Sequence, residues 1–220
     1  MLRDPELIVI PEFDQARHVK PLKLPEFYHP LISIDFGGSM DKHGMVLIYW
    51  DFERAKLCVY GEDLLNKNMA SKFVRAASNR LEDTVKWPNN EVVRIGDVPE
   101  QLRIDLLDED FYCAPPLKDK GSVQANVNAI RMMMIRDGIE IDPRCVKVIL
   151  TLEHGAWLPN REDWQRTEDL GHLDLLAALL YAQRHINKEN PFPGYYGKSI
   201  DKIERIVEDT SEDNFLLQGF

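Results

Sequence analysis

The chain has 220 residues, 44% of them apolar and 29% charged, with a formal charge of −10. That length and composition suit one folded domain around a single sizeable core and exclude the disordered, collagen-like and coiled-coil classes. The acidic balance weighs against a protein that coats nucleic acid through Lys and Arg, but it does not exclude an enzyme whose clustered carboxylates hold divalent cations.

From the N-terminus, residues 1–30 place Pro5, Pro11, Pro21, Pro25 and Pro30 among short apolar runs, which predicts an extended arm or linker. Regular structure is expected from Leu31, in a domain spanning 31–190 and followed by a C-terminal extension over 191–220. LISIDFGG reads as a buried strand ending in a tight turn, and GMVLIYWDF and KLCVYGED as two more strands around the Glu53–Ala55 turn, hence a three-stranded antiparallel meander. Between Asn66 and Val85 the period lengthens, and Phe73, Ala77, Leu81 and Val85 predict one buried helical face. EVVRIGD is a fourth strand ending at Asp97, with Pro99 opening a helix through Leu107. FYCAPPL is expected to be a fifth strand, stopped by two prolines.

GSVQANVNAIRMMMIRDG predicts a helix with Val123, Val127, Ile130 and Met134 inward and Gly138 as its C-cap. Pro143 opens another helix over 144–153, the polar stretch from Gly155 to Gly171 is an exposed loop or hairpin, and HLDLLAALLYAQRHI is apolar almost all round and therefore buried. The order places a meander before alternating strands and helices, the order of an RNase H-like fold. Cys58, Cys113 and Cys145 are odd in number and form no Cys-x-x-Cys pair, so reduced thiols are expected, without a disulfide framework or zinc knuckle. No apolar run approaches the roughly 20 residues of a membrane span, and acids interrupt the N-terminus where a signal peptide would be apolar.

Three aspartates stand where an apolar element ends or begins: Asp35 after the first strand, Asp97 after the fourth and Asp174 in the first turn of the buried helix. Clustered carboxylates repel one another unless a cation or a proton intervenes. Two divalent ions about 4 Å apart relieve the repulsion and form a phosphodiester-cleaving device. Each aspartate also has an ordinary reading, as turn former, helix cap or dipole partner.

ISIDFGG, RIGDVP and GHLDLLAALLYA, in this order and spacing, resemble the three metal-binding motifs of the nuclease domain of viral terminase large subunits, and the likeness extends over roughly residues 7–186. The resemblance implies an RNase H-like fold, a mixed five-stranded sheet with its first three strands antiparallel and helices on its flanks. It implies that Asp35, Asp97 and Asp174 ligate two divalent ions, Mg²⁺ or Mn²⁺, with water as nucleophile and double-stranded DNA as substrate. Terminase small subunit, portal and an ATPase domain follow as partners, and host-cell cytoplasm as the location. Many relatives carry two adjacent acids at the last motif; here the first of them is Leu173, and Asp41 or His172 are the candidates to complete the second metal site. No G-x-x-x-x-G-K-[ST] loop occurs in the chain, so the ATPase motor is expected elsewhere, with this chain an excised domain or a separate polypeptide.

Lys72, Arg75, Arg80, Lys118, Lys120, Arg161 and Arg166 are the candidate phosphate contacts, each equally readable as a solvated surface charge. Trp157 and Trp164 are readable as a wedge against DNA or as anchors of the 155–171 loop. The alternatives to a packaging nuclease are a resolvase or transposase of the same fold and a non-catalytic docking domain of a packaging motor.

Overall fold

Three strands rich in β-branched and aromatic residues build the centre of the sheet: β1 (Tyr28–Phe36), β2 (His43–Asp51) and β3 (Lys56–Leu65). They run antiparallel as expected, with Ile32 opposite Leu47 and Tyr49 opposite Cys58. All nine residues of β2 are buried, because helices cover both faces of this middle strand. The computed structural model describes residues 5–26, 28–37, 41–85, 92–117 and 122–189, so Lys118, Lys120 and the extension 191–220 lie outside the described residues.

Among the described residues the sheet has five strands in the order β4-β1-β2-β3-β5. β4 (Val93–Gly96) pairs with β1 in parallel, and β5 (Ile139–Ile141) pairs in parallel with β3. The fifth strand is therefore not FYCAPPL, whose Ala114 makes only an isolated bridge to Ile95. Pro115 and Pro116 follow at once and offer no N–H to continue the ladder.

Six helices flank the sheet among the described residues: α1 (Gln15–His18), α2 (Ser71–Glu82), α3 (Glu100–Asp108), α4 (Ser122–Ile135), α5 (Val146–His154) and α6 (Asp174–His185). On one face α4, α5 and α6 pack over Leu31, Val46, Ile48, Leu57, Val59 and Ile95. On the other, Val74, Ala77 and Leu81 of α2 and Leu106 of α3 cover Ile32, Ile34, Met45 and Leu47. Ala77, Leu81 and Val85 of the predicted α2 face are buried as expected, but its first position is filled by Val74, and Phe73 is 50% exposed. Likewise Val123 stands outside the α4 stripe, while Val127, Ile130 and Met134 are buried as expected.

The C-terminus of α4 also differs from expectation. Asp137 takes the left-handed conformation (φ 52°), and Gly138 follows it, donating its N–H to the Met133 carbonyl at 2.8 Å. This 6→1 bond, with Asp137 N–H to Met134 O at 3.0 Å, closes a Schellman turn one residue earlier than Gly138 suggested. The Arg17 guanidinium compensates by pairing with the Asp137 carboxylate at 2.7 Å.

The N-terminal segment is largely irregular, yet it is built into the core. Val9 and Ile10 are 1% exposed, Val9 N–H bonds the Gly155 carbonyl at 2.9 Å, and Val19 bridges to Ile141. His18, fully buried, accepts from Asp14 N–H through Nδ1 and faces the Met134 carbonyl through Nε2. Cys58 and Cys145 are buried and Cys113 half-buried, all three free.

Candidate metal centre

The β1–β4 ladder ends with Ile34 beside Gly96, so the next residues along the two parallel strands are Asp35 and Asp97. Side chains alternate along a strand. Ile32, Ile34 and Phe36 point into the α2–α3 core, which leaves Leu31, Ser33 and Asp35 on the α6 face. Ile95 also belongs to the α6-side core, and Asp97 follows it by two residues. Both carboxylates thus emerge at one end of the sheet on the side that α6 covers. Tyr181 of α6 lies near them: burial first, and then the charges of Asp35 and Asp97, hold its ionisation far above the ordinary tyrosine range.

Asp174 arrives from the helix. Gly44, the cross-strand partner of Asp35, lies against the first residue of α6, and a Cβ added to it would sit 2.5 Å from the Asp174 carbonyl carbon. Only glycine permits that approach of helix to strand. Gly171, at φ +67°, makes the preceding turn, and a Cβ there would fall 2.1 Å from Asp174 Oδ2. Asp174 is 2% exposed. Its carboxyl is pushed up to about 6, first by burial and second by the neighbouring Asp41 charge, with the His172 N–H bond at 3.3 Å acting in the opposite sense.

Leu173, at the position where relatives of the resemblance carry an acid, is 1% exposed and left-handed (φ 57°) as the residue preceding α6. It packs into the core beside Gly155 and offers nothing to a cation. Asp41 stands beside Asp174 and is engaged by Arg166, with two N–O distances of 3.0 Å. His172 directs Nε2 to Asp163 at 2.9 Å and sets its ring against Trp164.

The structure therefore brings the acids together as two pairs: Asp35 with Asp97 about Tyr181, and Asp174 with Asp41. Among the described residues no group of three or more His, Cys, Asp or Glu side chains is close enough to hold one ion. The donor chemistry still suits a small hard cation. Mg²⁺ takes one or two carboxylates and completes its sphere with water and phosphate oxygens, and Asp35 and Asp97 are two carboxylates adjacent across a parallel ladder.

The hairpin over 155–171 is fastened beside this site. Trp157 and Trp164 bridge one another, are both buried, and have ring centroids 5.9 Å apart, so they anchor the loop. Lys42 Nζ donates to the Glu168 and Asp169 carbonyls at 2.7 and 3.0 Å. Of the candidate phosphate contacts, Arg75 faces Glu109 at 3.6 Å, Arg80 pairs with Asp63 at 2.8 Å, and Arg161 donates to the Glu6 carbonyl at 3.0 Å. Lys72 lies over the Phe73 ring at 5.2 Å.

No protein-family model matches the chain, and no curated protein matches it in sequence. Solved structures with the same architecture do exist. The P22 large terminase nuclease domain superposes with a TM-score of 0.61 at 15% identity, covering 80% of this chain and 90% of that one. This chain has the fold of a large-terminase nuclease domain. The large terminase of the thermophilic bacteriophage D6E matches the same terminase nuclease fold with a TM-score of 0.64 at 13% identity, over 82% of this chain but 45% of its own length. The large terminase nuclease from thermophilic phage G20c, solved with bound magnesium, matches with a TM-score of 0.55 at 14% identity, over 82% and 98% of the two chains. In this terminase nuclease fold the order from β1 to α3 was legible in the sequence, whereas the fifth strand follows α4 as Ile139–Ile141 and was expected before it. Tyr181, Gly44 and Gly171 were not singled out there, although the tyrosine stands openly in ALLYA and Gly171 lies three residues before Asp174; Gly44 meets Asp35 only across the ladder.

Proposed function

We propose that this chain is a divalent-metal-dependent endonuclease that cuts double-stranded DNA during viral genome packaging. The carrying observation is the adjacency of Asp35 and Asp97 at one end of the sheet, on the face of the helix that begins with Asp174. The terminase nuclease fold and the magnesium bound in the G20c structure support the reading.

In this reading Asp35 and Asp97 hold one Mg²⁺ or Mn²⁺, and Asp174, with Asp41 beside it, serves a second. Bound divalent ions supply an activated water and charge stabilisation at the leaving oxygen of the phosphodiester. The chain's own contribution is to gather acids on rigid strand ends and a helix start, so that little reorganisation accompanies binding. Asp174 contributes its negative charge above pH about 6 and carries a proton below it. Arg166 neutralises Asp41 and keeps two like charges from facing each other unscreened. Lys72, Arg75, Arg80, Arg161 and Arg166, with Lys118 and Lys120, remain the proposed phosphate contacts. The chain spans about 45% of the D6E large terminase, so an ATPase motor, portal and small subunit enter as proposed partners, with host cytoplasm as the proposed location.

Leu173 and the Arg166–Asp41 pair favour a second reading, a docking domain of a packaging motor that has kept the fold without useful cleavage. Nicking of supercoiled plasmid in Mg²⁺, Mn²⁺ or EDTA separates the two. Metal-dependent cutting by the wild type, lost in Asp35→Ala and Asp174→Ala, is the expected result. Since a bound metal is worth several kcal/mol and each ~1.4 kcal/mol is tenfold, the loss should be at least about a hundredfold. A folded wild type that stays inactive even in Mn²⁺ selects the docking reading.

A further inference from the structure

A cavity of about 380 Å³ opens directly beside Asp97, between α3 and the segment that follows it. Pro99 turns the chain from β4 into α3, and Glu100, Arg103 and Leu107 recur at spacings of three and four residues, so one face of the helix forms one wall. The segment from Phe111 to Pro115 forms the other. Two backbone bonds hold it against β4, from Gly96 N–H to Ala114 O and from Ala114 N–H to Arg94 O, both 2.9 Å. Phe111 is 2% exposed and lies under the Arg94 guanidinium at 5.1 Å, which fixes the base of that wall. The cavity is thus a built part of the fold, and it shares Asp97 with the candidate metal centre.

Two side chains of this cavity keep apolar surface in water. Tyr112 is 68% exposed, the most exposed large apolar side chain among the described residues, and Leu107 is 50% exposed. A flat apolar ligand would cover both. Arg103 belongs to the same lining and pairs with Glu100 at 2.5 Å; both are mostly exposed, so the guanidinium can exchange that partner for another anion. An open aromatic face, a guanidinium and an adjoining phosphate-binding metal centre together match one nucleotide, whose base stacks while its phosphates meet the cations. The volume is at the lower end of small-ligand sites, which suits a single base. Bases inside a duplex are stacked and out of reach, so the occupant has to be unpaired. We propose that this cavity takes one unpaired nucleobase of the DNA strand whose phosphate lies at Asp97, with Tyr112 and Leu107 against the base and Arg103 on a neighbouring phosphate. Cutting is thereby directed to DNA that has an unpaired base beside the scissile bond. The proposal rests on the metal-nuclease reading above and adds to it a preference for substrate structure.

The test uses the full chain as wild type, Tyr112→Ala, Leu107→Asp and Ile104→Ala, the last an exposed residue of α3 outside the cavity. Fluorescence anisotropy follows binding to two end-labelled duplexes of equal length, one fully paired and one with a short mismatched bubble, in EDTA and in MgCl₂. The two probes carry the same phosphate charge, so their difference reads the unpaired bases. The wild type should bind the bubble about tenfold more tightly than the paired duplex. Tyr112→Ala and Leu107→Asp should abolish that preference while Ile104→Ala keeps it, and thermal unfolding should show all three variants folded because each position is exposed. Equal wild-type affinity for the two probes, or a preference that survives both cavity substitutions, overturns the proposal. Loss of the preference in Ile104→Ala as well overturns it too, by showing general apolar adhesion. Plasmid nicking separates the two readings: a wild type that keeps a Tyr112-dependent bubble preference but nicks nothing in Mg²⁺ or Mn²⁺ overturns the nuclease reading and leaves the nucleobase site standing.

Discussion

Gly44 and Asp174 touch backbone to backbone: the first residue of α6 lies where a Cβ on Gly44 would have to be, 2.5 Å from the Asp174 carbonyl carbon and 2.6 Å from its oxygen. Gly44 is also paired with Asp35 across the β1–β2 ladder. This one glycine thus sets the spacing between the strand that carries Asp35 and the helix that carries Asp174.

Gly44→Ala should accordingly separate the two elements. Forcing an atom into a packed contact costs roughly 1–3 kcal/mol. Urea unfolding should show a loss in that range, and metal-dependent nicking should fall more steeply than the stability does, because α6 shifts relative to Asp35. An alanine variant with wild-type midpoint and activity would mean that α6 does not rest on β2 at this point.

The Asp174 carboxyl predicts how stability responds to pH. Burial and Asp41 raise it to about 6, above the value of an unfolded aspartate. The folded state then binds its proton more tightly than the unfolded chain, so this group's contribution is stabilising when protonated. It is fully present below the unfolded value of 3.8 and is lost as pH rises from there through about 6. The difference corresponds to at most about 3 kcal/mol. Asp174→Asn, which never ionises, should be more stable than the metal-free wild type by about that much at pH about 8 and equal to it near pH 4. Equal stability at both pH values would show that the charged carboxyl is not strained in the fold.

Arg166 tests the coupling between the two acids of the second pair. It is 49% exposed and Asp41 18%, so the ion pair is worth less than about 1 kcal/mol and Arg166→Ala should change stability little. Removing the guanidinium leaves Asp41 uncompensated next to Asp174, and the midpoint of Asp174 should move above about 6. Carbon-13 NMR of the Asp174 carboxyl across pH reads this directly; an unchanged midpoint would show that Arg166 does not screen Asp41 from Asp174.

Restoring an acid before Asp174 should fail. Leu173 is 1% exposed and wedged beside Gly155, so Leu173→Asp removes core packing and buries a charge without a partner. Large-to-small core changes alone cost about 2–5 kcal/mol. Loss of more than about 3 kcal/mol, with no added metal affinity in a calorimetric titration, is the expected outcome. A stable variant that binds one more ion per chain would show instead that this turn reopens to solvent.

Features written in contiguous residues could be taken from the sequence. The β1–β2–β3 meander, the Pro99 start of α3, the all-round apolar α6 and the placing of Asp35, Asp97 and Asp174 at element ends each follow from local periodicity and turn chemistry. Features that depend on distant partners were fixed only by tertiary packing. Ile139–Ile141 is three residues long, too short to show a period, and becomes a strand because β3 offers it a parallel edge. Phe73 and Val123 fit the N-terminal ends of their helical stripes by spacing alone, but the core beneath takes Val74 in place of Phe73 and begins the α4 stripe only at Val127. The grouping of the acids into Asp35–Asp97 and Asp174–Asp41, with Tyr181 on the first pair and Arg166 on the second, joins residues more than 60 positions apart in the chain. Local sequence could mark those carboxylates as ends of elements; which of them meet is decided by strand order, helix docking on Gly44 and the loop that carries Arg166, because charges interact through space and not along the chain.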